Sequence, residues 1–111
     1  MSVAITIHAR HRRVGPELRA HIHERLERLL GTDPAESSVD VEVSSERDTA
    51  NGNQRVDITL FLRGRTFRAE ATAPDAWHAV DRASKRLQEQ VRRERQRRLA
   101  RRLVGRRALS A

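Results

Sequence analysis

Apolar residues return at every second position in four short stretches of this chain and at helical spacing in two longer ones. The order of those stretches leaves few folds open. Val3, Ile5 and Ile7 alternate with Ala4, Thr6 and His8, the pattern of a half-buried first strand. Gly15-Pro16 opens a helix, with Pro16 at its first position, and Leu18, Ile22, Leu26 and Leu29 form its apolar stripe. Gly31 is its expected C-cap, and Val14 is placed to staple onto Leu18. Val39, Val41 and Val43 mark a second strand, and residues 48–53, with Asn51-Gly52, a hairpin loop. Val56, Ile58, Leu60 and Leu62 mark a third strand, Arg63-Gly64 a tight turn, and Phe67, Ala69 and Ala71 a fourth strand. Pro74-Asp75 begins a second helix, with Pro74 in its first turn and Asp75 complementing the positive end of the helix dipole. Ala76, Val80, Ala83, Leu87 and Val91 are its core-facing positions.

The order is therefore β-α-β-β-β-α. A helix between strands one and two requires them to be parallel, and the rest follow as an antiparallel meander. This is a two-layer α+β domain, a four-stranded sheet with two helices on one face. At 111 residues the chain is one domain. The only aromatics are Phe61, Phe67 and Trp77, so the core must be mostly Val, Ile, Leu and Ala. Trp77, beside the apolar face of the second helix, is expected in the core, and Phe61, on the polar parity of its strand, is expected to be exposed. Residues 92–98 contain no apolar side chain although their helix propensity is high. The folded domain is thus expected over 1–94, the helix leaving the globule near Arg92. Residues 95–111 form a basic extension, helical or disordered, with Gly105 ending the helix.

Charge is distributed very unevenly. Residues 82–111 hold twelve of the 23 Lys and Arg and only two acids, Glu89 and Glu94, whereas the remainder is slightly acidic. On a helical wheel, the face of the second helix opposite its apolar stripe carries His78, Arg82, Lys85, Glu89 and Arg93, flanked by Arg86, Arg92 and Gln96. Arg10, Arg12 and Arg13 in the loop after the first strand, and Arg19, Arg25 and Arg28 of the first helix, extend it into a patch. A charge run is usually just a solvated face. A face serving solubility alone interleaves signs, however, and this one lacks the i,i+4 acids that would neutralise it. The expected partner is a nucleic acid. With one ring expected to be exposed, the pattern favours contact with the backbone and shape of structured RNA over base-by-base reading.

Other chemistries find little support. With no cysteine there is neither a disulfide nor a thiol nucleophile. His8, His11, His21 and His23 lack metal-ligand spacing with a carboxylate. No nucleophile is paired with a base, no Gly-rich loop offers to hold phosphate, and Asp75 and Asp81 are best taken as structural charges. No cofactor, metal, membrane or small-molecule substrate is expected, nor is enzymatic activity. No apolar run reaches a membrane span and the N-terminus lacks a signal-peptide pattern, so the cytoplasm is the expected compartment. Leu99, Leu103 and Val104 leave room for a different class of function, a helical zipper with a partner or a second copy.

The segments Ile5-Thr6-Ile7-His8-Ala9-Arg10-His11 and Pro16-Glu17-Leu18-Arg19, and above all Asp75-Ala76-Trp77-His78-Ala79-Val80-Asp81-Arg82-Ala83, resemble the ribosome hibernation promoting factors. These are also called ribosome-associated translation inhibitors, the sigma-54 modulation and S30EA ribosomal protein family. Trp77 stands where that family has Tyr, and Val80 where it has Ile. The resemblance runs from about Val3 to Arg93. It implies a fold similar to double-stranded-RNA-binding domains. It also implies a protein lying on 16S rRNA in the mRNA and tRNA channel of the small ribosomal subunit, blocking the A and P sites in resting or stressed cells. Arg10, Arg19, Arg28, Arg82, Lys85, Arg86 and Arg93 are the matching or nearby bases, and Glu89 departs from a frequent Arg. The chain stops soon after its second helix, so the resemblance is to the short class, without the further domain that pairs ribosomes.

Overall fold

The computed structural model describes residues 4–30, 37–45, 53–62 and 64–110, with side chains described as far as Leu103. The expected Gly31 cap, the Asn51-Gly52 hairpin, Val3, Arg63 and the side chain of Val104 lie outside these residues. The elements are β1 (Ala4–Arg10), α1 (Pro16–Leu30), β2 (Ser37–Ser45), β3 (Gln54–Leu62), β4 (Arg65–Ala73) and α2 (Ala76–Ser110). The sheet order is β1-β2-β3-β4. β1 runs parallel to β2, with Ile5 opposite Val39 and Ile7 opposite Val41. β2–β3 and β3–β4 are antiparallel, with Val41 opposite Ile58 and Ile58 opposite Ala69. The expected α+β architecture is the one observed.

Alternation places Val39, Val41, Val43, Val56, Ile58, Leu60, Ala69, Ala71 and Ala73 on one face of the sheet, all buried. Leu18, Ile22, Leu26 and Leu30 of α1 and Ala76, Ala79, Val80, Ala83, Leu87 and Val91 of α2 close over them in a single core. Both helices therefore lie on that face. β4 contributes alanines where α2 crosses it with alanines of its own, and the missing bulk on both sides lets the helix sit close to the sheet. Val14 packs against the core just before α1. Leu30, rather than Leu29, completes the buried stripe of α1, and Leu29 is half-buried.

The helix starts are defined by caps. Arg19 N–H reaches Gly15 O (3.0 Å), so Pro16 is the first helical residue as expected. In α2 the backbone of His78 donates to Asp75 Oδ1 (2.9 Å), and Ala79 N–H reaches Asp75 O (3.2 Å). Asp75 is thus the N-cap, and Pro74 lies one residue outside the helix rather than in its first turn. At the other end α2 runs through Gly105, the residue expected to stop it. Gly64 adopts φ 75° in the two-residue connection between the paired Leu62 and Arg65. A side chain would strain the backbone there.

Candidate nucleic-acid interface

α1 and α2 lie side by side on the sheet, and a groove runs between them. Its α1 wall is Arg25, Arg28 and Leu29, and its α2 wall is Asp81, Ser84, Lys85 and Gln88, continuing to Arg92 and Arg95. The spacing explains the gathering. Arg25, Arg28 and Leu29 occupy one side of α1, while Asp81, Lys85, Gln88, Arg92 and Arg95 recur at three or four residues along one side of α2. Asp81 is neutralised within the groove by Arg25 Nε (3.0 Å) and His21 Nε2 (2.8 Å). Arg28 pairs with Glu24 one turn earlier (3.0 Å) but remains exposed. Lys85, Arg92 and Arg95 are exposed. This is a cation-lined channel with the Gln88 amide on its wall, suited to a polyphosphate backbone.

The basic ridge of α2 divides by its contacts into two sides. On the side away from α1, Arg82 Nη1 donates to Thr72 O (2.9 Å), Arg86 Nη1 to Glu70 O (2.5 Å) and Gln90 Nε2 to Arg68 O (2.8 Å). β4 is an edge strand, and these are alternate carbonyls along it. Three side chains one turn apart thus satisfy the outward acceptors of three alternate residues. Arg82 and Arg86 are exposed yet held by the sheet, whereas Lys85 and Arg92 turn toward the groove and Arg93 is exposed. Glu89 is exposed among them and, among the described residues, has no ion-pair partner. The split was latent in the helical wheel. Its direction required knowing which neighbour lay on which side.

The other expected contact residues lie apart. Arg19 and Arg13 are exposed. Arg12 is half-buried: its Nη1 donates to Gln54 Oε1 (2.6 Å) and its Nε to Arg13 O (3.1 Å), tethering the loop to the start of β3. Arg10 points from the uncovered sheet face near Glu42 (3.6 Å). That face interleaves Asp40, Glu42, Asp57 and Glu70 with Arg10, Arg55 and Arg68, and so carries no net basic field. Arg12 thus tethers a loop and Arg10 sits on a sheet face of mixed charge, whereas the cations without nearby acids lie on the helical layer. Arg25 was expected from the sequence only as part of the wider basic patch, and Arg95 was not singled out there, although its spacing from Arg92 was available.

The helix also stays docked longer than its apolar stripe. Glu94 and Arg98 continue the row of Leu87 and Val91 in ionic form: Glu94 pairs with Arg65 of β4 and, at 3.8 Å, with Arg98. Glu94 and Arg98 are half-buried, so α2 remains against the sheet end beyond Arg92. Trp77 departs from expectation as well. It is 43% exposed, with its ring against His21 (centroids 4.6 Å apart, planes tilted by 39°). Phe61 is exposed as expected. Among the described residues no cluster of His, Asp or Glu is arranged to hold a metal, and no helix is long and apolar enough to cross a membrane.

Residues 5–99 match the family model described as sigma 54 modulation protein / S30EA ribosomal protein. The chain belongs to that family. Among solved structures it is similar to the N-terminal domain of Protein Y from Thermus thermophilus. The two share 28% identity with a TM-score of 0.70, over 84% of this chain and 98% of that one. A ribosomal subunit interface protein from Coxiella burnetii shares the fold, with a TM-score of 0.74 at 20% identity over 84% of this chain and 98% of that one. No curated protein sequence gives a significant match. Within the S30EA family frame, the matched span takes in α1, the groove and the docked part of α2, and ends at residue 99, a few residues into the arginine-rich extension.

Proposed function

We propose that this S30EA-family protein is a translation inhibitor that binds the small ribosomal subunit. Its helical face would lie against 16S rRNA in the channel used by mRNA and by A- and P-site tRNA. It would act by occlusion, in the cytoplasm of resting or stressed cells. The observation that carries this reading is the basic interhelical groove on one face of the sheet, opposite a face whose charges cancel. A cationic channel on a two-layer support suits a structured RNA backbone, because the packed helices fix the spacing of its basic residues before binding. Cosedimentation with small subunits at moderate salt tests it. The protein is expected in the pellet and expected to lower tRNA binding; protein left in the supernatant with tRNA binding intact would sink the idea. Charge reversal at Lys85 or Arg92 should release it, while Arg68→Glu on the opposite face should leave it bound.

A second reading rests on Leu99 and Leu103, 58% and 57% exposed one turn apart on the extension. They form the start of a zipper seam, but Arg95, Arg98, Arg101 and Arg102 flank it. A second copy would set like charges together at that seam. Concentration-dependent dimerisation in the absence of RNA would favour this reading over occlusion.

A further inference from the structure

Trp77 lies one helical turn before Asp81, the first α2 residue of the interhelical groove. It occupies the same side of α2 as Asp81, Lys85 and Gln88, four, eight and eleven residues further on. Ala76, Ala79 and Val80 fill the core side of this turn, so the indole has no place in the core and turns toward α1. There it meets His21 at stacking distance. His21 is itself held by Asp81 (2.8 Å), and Asp81 by Arg25 (3.0 Å). The ring is therefore backed by an imidazole whose position is fixed by an ion pair across the two helices, yet 43% of the residue remains open to solvent. A large aromatic surface left exposed loses hydrophobic stabilisation unless something covers it. The cations of the groove that begins one turn further along α2 indicate what does.

We propose that Trp77 is a stacking platform for one unpaired nucleobase of the RNA whose backbone runs along the basic groove. The inference rests on the RNA-binding reading above and adds a base contact to a surface otherwise built for phosphates. An indole supported on one side and open on the other gives a flipped-out base a flat partner, without selecting among bases by hydrogen bonds. Arg25, which anchors the support, also lines the groove, so base and backbone would engage one continuous surface.

The chain has one Trp and no Tyr, so its intrinsic emission reports Trp77 alone. The probes are an RNA hairpin with a single bulged adenine, the same hairpin with that nucleotide abasic, and heparin. The bulged hairpin is expected to quench the emission, and the abasic hairpin and heparin to bind with little quenching. Trp77→Ala should weaken the bulged hairpin about tenfold or more, the scale of one base–aromatic stack, and leave the abasic hairpin unchanged. Trp77→Phe, which keeps a ring, should recover most of that loss. Equal quenching by bulged and abasic hairpins, or equal loss of affinity for both in Trp77→Ala, would overturn the stacking role while leaving the groove as an RNA site. If Trp77→Ala does not fold, the quenching comparison on the unaltered protein decides alone. Failure of the unaltered protein to bind either hairpin or small subunits would overturn both readings.

Discussion

Asp75 shows how one side chain sets where α2 begins and how that start responds to acid. It accepts the backbone N–H of His78, and its second oxygen meets the His78 ring. The backbone hydrogen bond, and then the ring contact, hold the carboxyl below its ordinary value of 3.8. A carboxyl with a lowered folded pKa stabilises the fold above its unfolded pKa and loses that contribution as pH falls through the folded value. Asp75→Asn keeps a capping oxygen but removes the titration. Wild type should therefore be the more stable near neutrality, and the gap should close as pH drops below about 4. Urea denaturation across that range checks it, and a gap that stays constant would count against the assignment. Ser84 is the opposite case. It is 7% exposed on the groove wall, and its hydroxyl has no hydrogen-bond partner. A buried hydroxyl without a partner costs free energy, so Ser84→Ala should be neutral or stabilising by up to about 1 kcal/mol. Clear destabilisation in urea would show that the hydroxyl is satisfied in solution. Glu89 remains the acid that serves neither sheet nor groove, and nothing around it accounts for its charge.

At the scale of the element, α2 has two working sides. Arg82, Arg86 and Gln90 occupy outward carbonyls of β4, which would otherwise offer an edge for another strand to pair with. Lys85, Gln88 and Arg92 face the groove. Substitutions one residue apart should therefore separate the two roles. Arg86→Ala should lower stability by about 1 kcal/mol or less, since the bond is solvent-exposed, and raise the tendency to associate through β4. Lys85→Ala should leave both unchanged and weaken RNA binding. Thermal melting, light scattering and subunit cosedimentation on the two variants distinguish the outcomes; matching profiles would mean that the ridge is one surface after all. The element itself was legible in the sequence, because Ala76, Val80, Ala83, Leu87 and Val91 keep helical period and all are buried. Three of its features were not. Pro74 was a plausible first-turn residue until Asp75 proved to be the cap, since both positions favour a helix start. Trp77 lies about a quarter-turn from the apolar centre, where its place beside the apolar face argued for the core but the alanines of β4 and α2 leave no room. Glu94 and Arg98 continue the docked row with charges, which a search for apolar periodicity passes over.

Across the whole molecule, the polarity of charge along the chain becomes a polarity of faces. Strand parity sends the acids Asp40, Glu42, Asp57 and Glu70 to the uncovered side of the sheet, where they meet Arg10, Arg55 and Arg68. The helical side keeps Arg28, Lys85, Arg92 and Arg95 without such compensation, apart from the Arg28–Glu24 pair. Counting residues predicted the imbalance. Assigning it to a face needed the register, because the same acids shifted by one position would have pointed into the core. The extension adds a different field. Beyond Arg95, which lines the groove, Arg97, Arg101 and Arg102 are exposed, and at 100° per residue they point in different directions rather than along one row. Such a segment attracts phosphate from any direction and selects no particular arrangement of it. It should therefore contribute to affinity through counterion release and little to the choice of site. Each phosphate neutralised adds about 0.7–0.9 to the slope of log affinity against log salt. Arg101→Gln combined with Arg102→Gln should accordingly reduce that slope by about one to two and weaken binding to small subunits and to unrelated duplex RNA alike. Lys85→Gln should instead narrow the preference for the subunit over the duplex. If the arginine pair on the extension changed that preference and Lys85 did not, site selection would belong to the extension and the groove would be the general attractor.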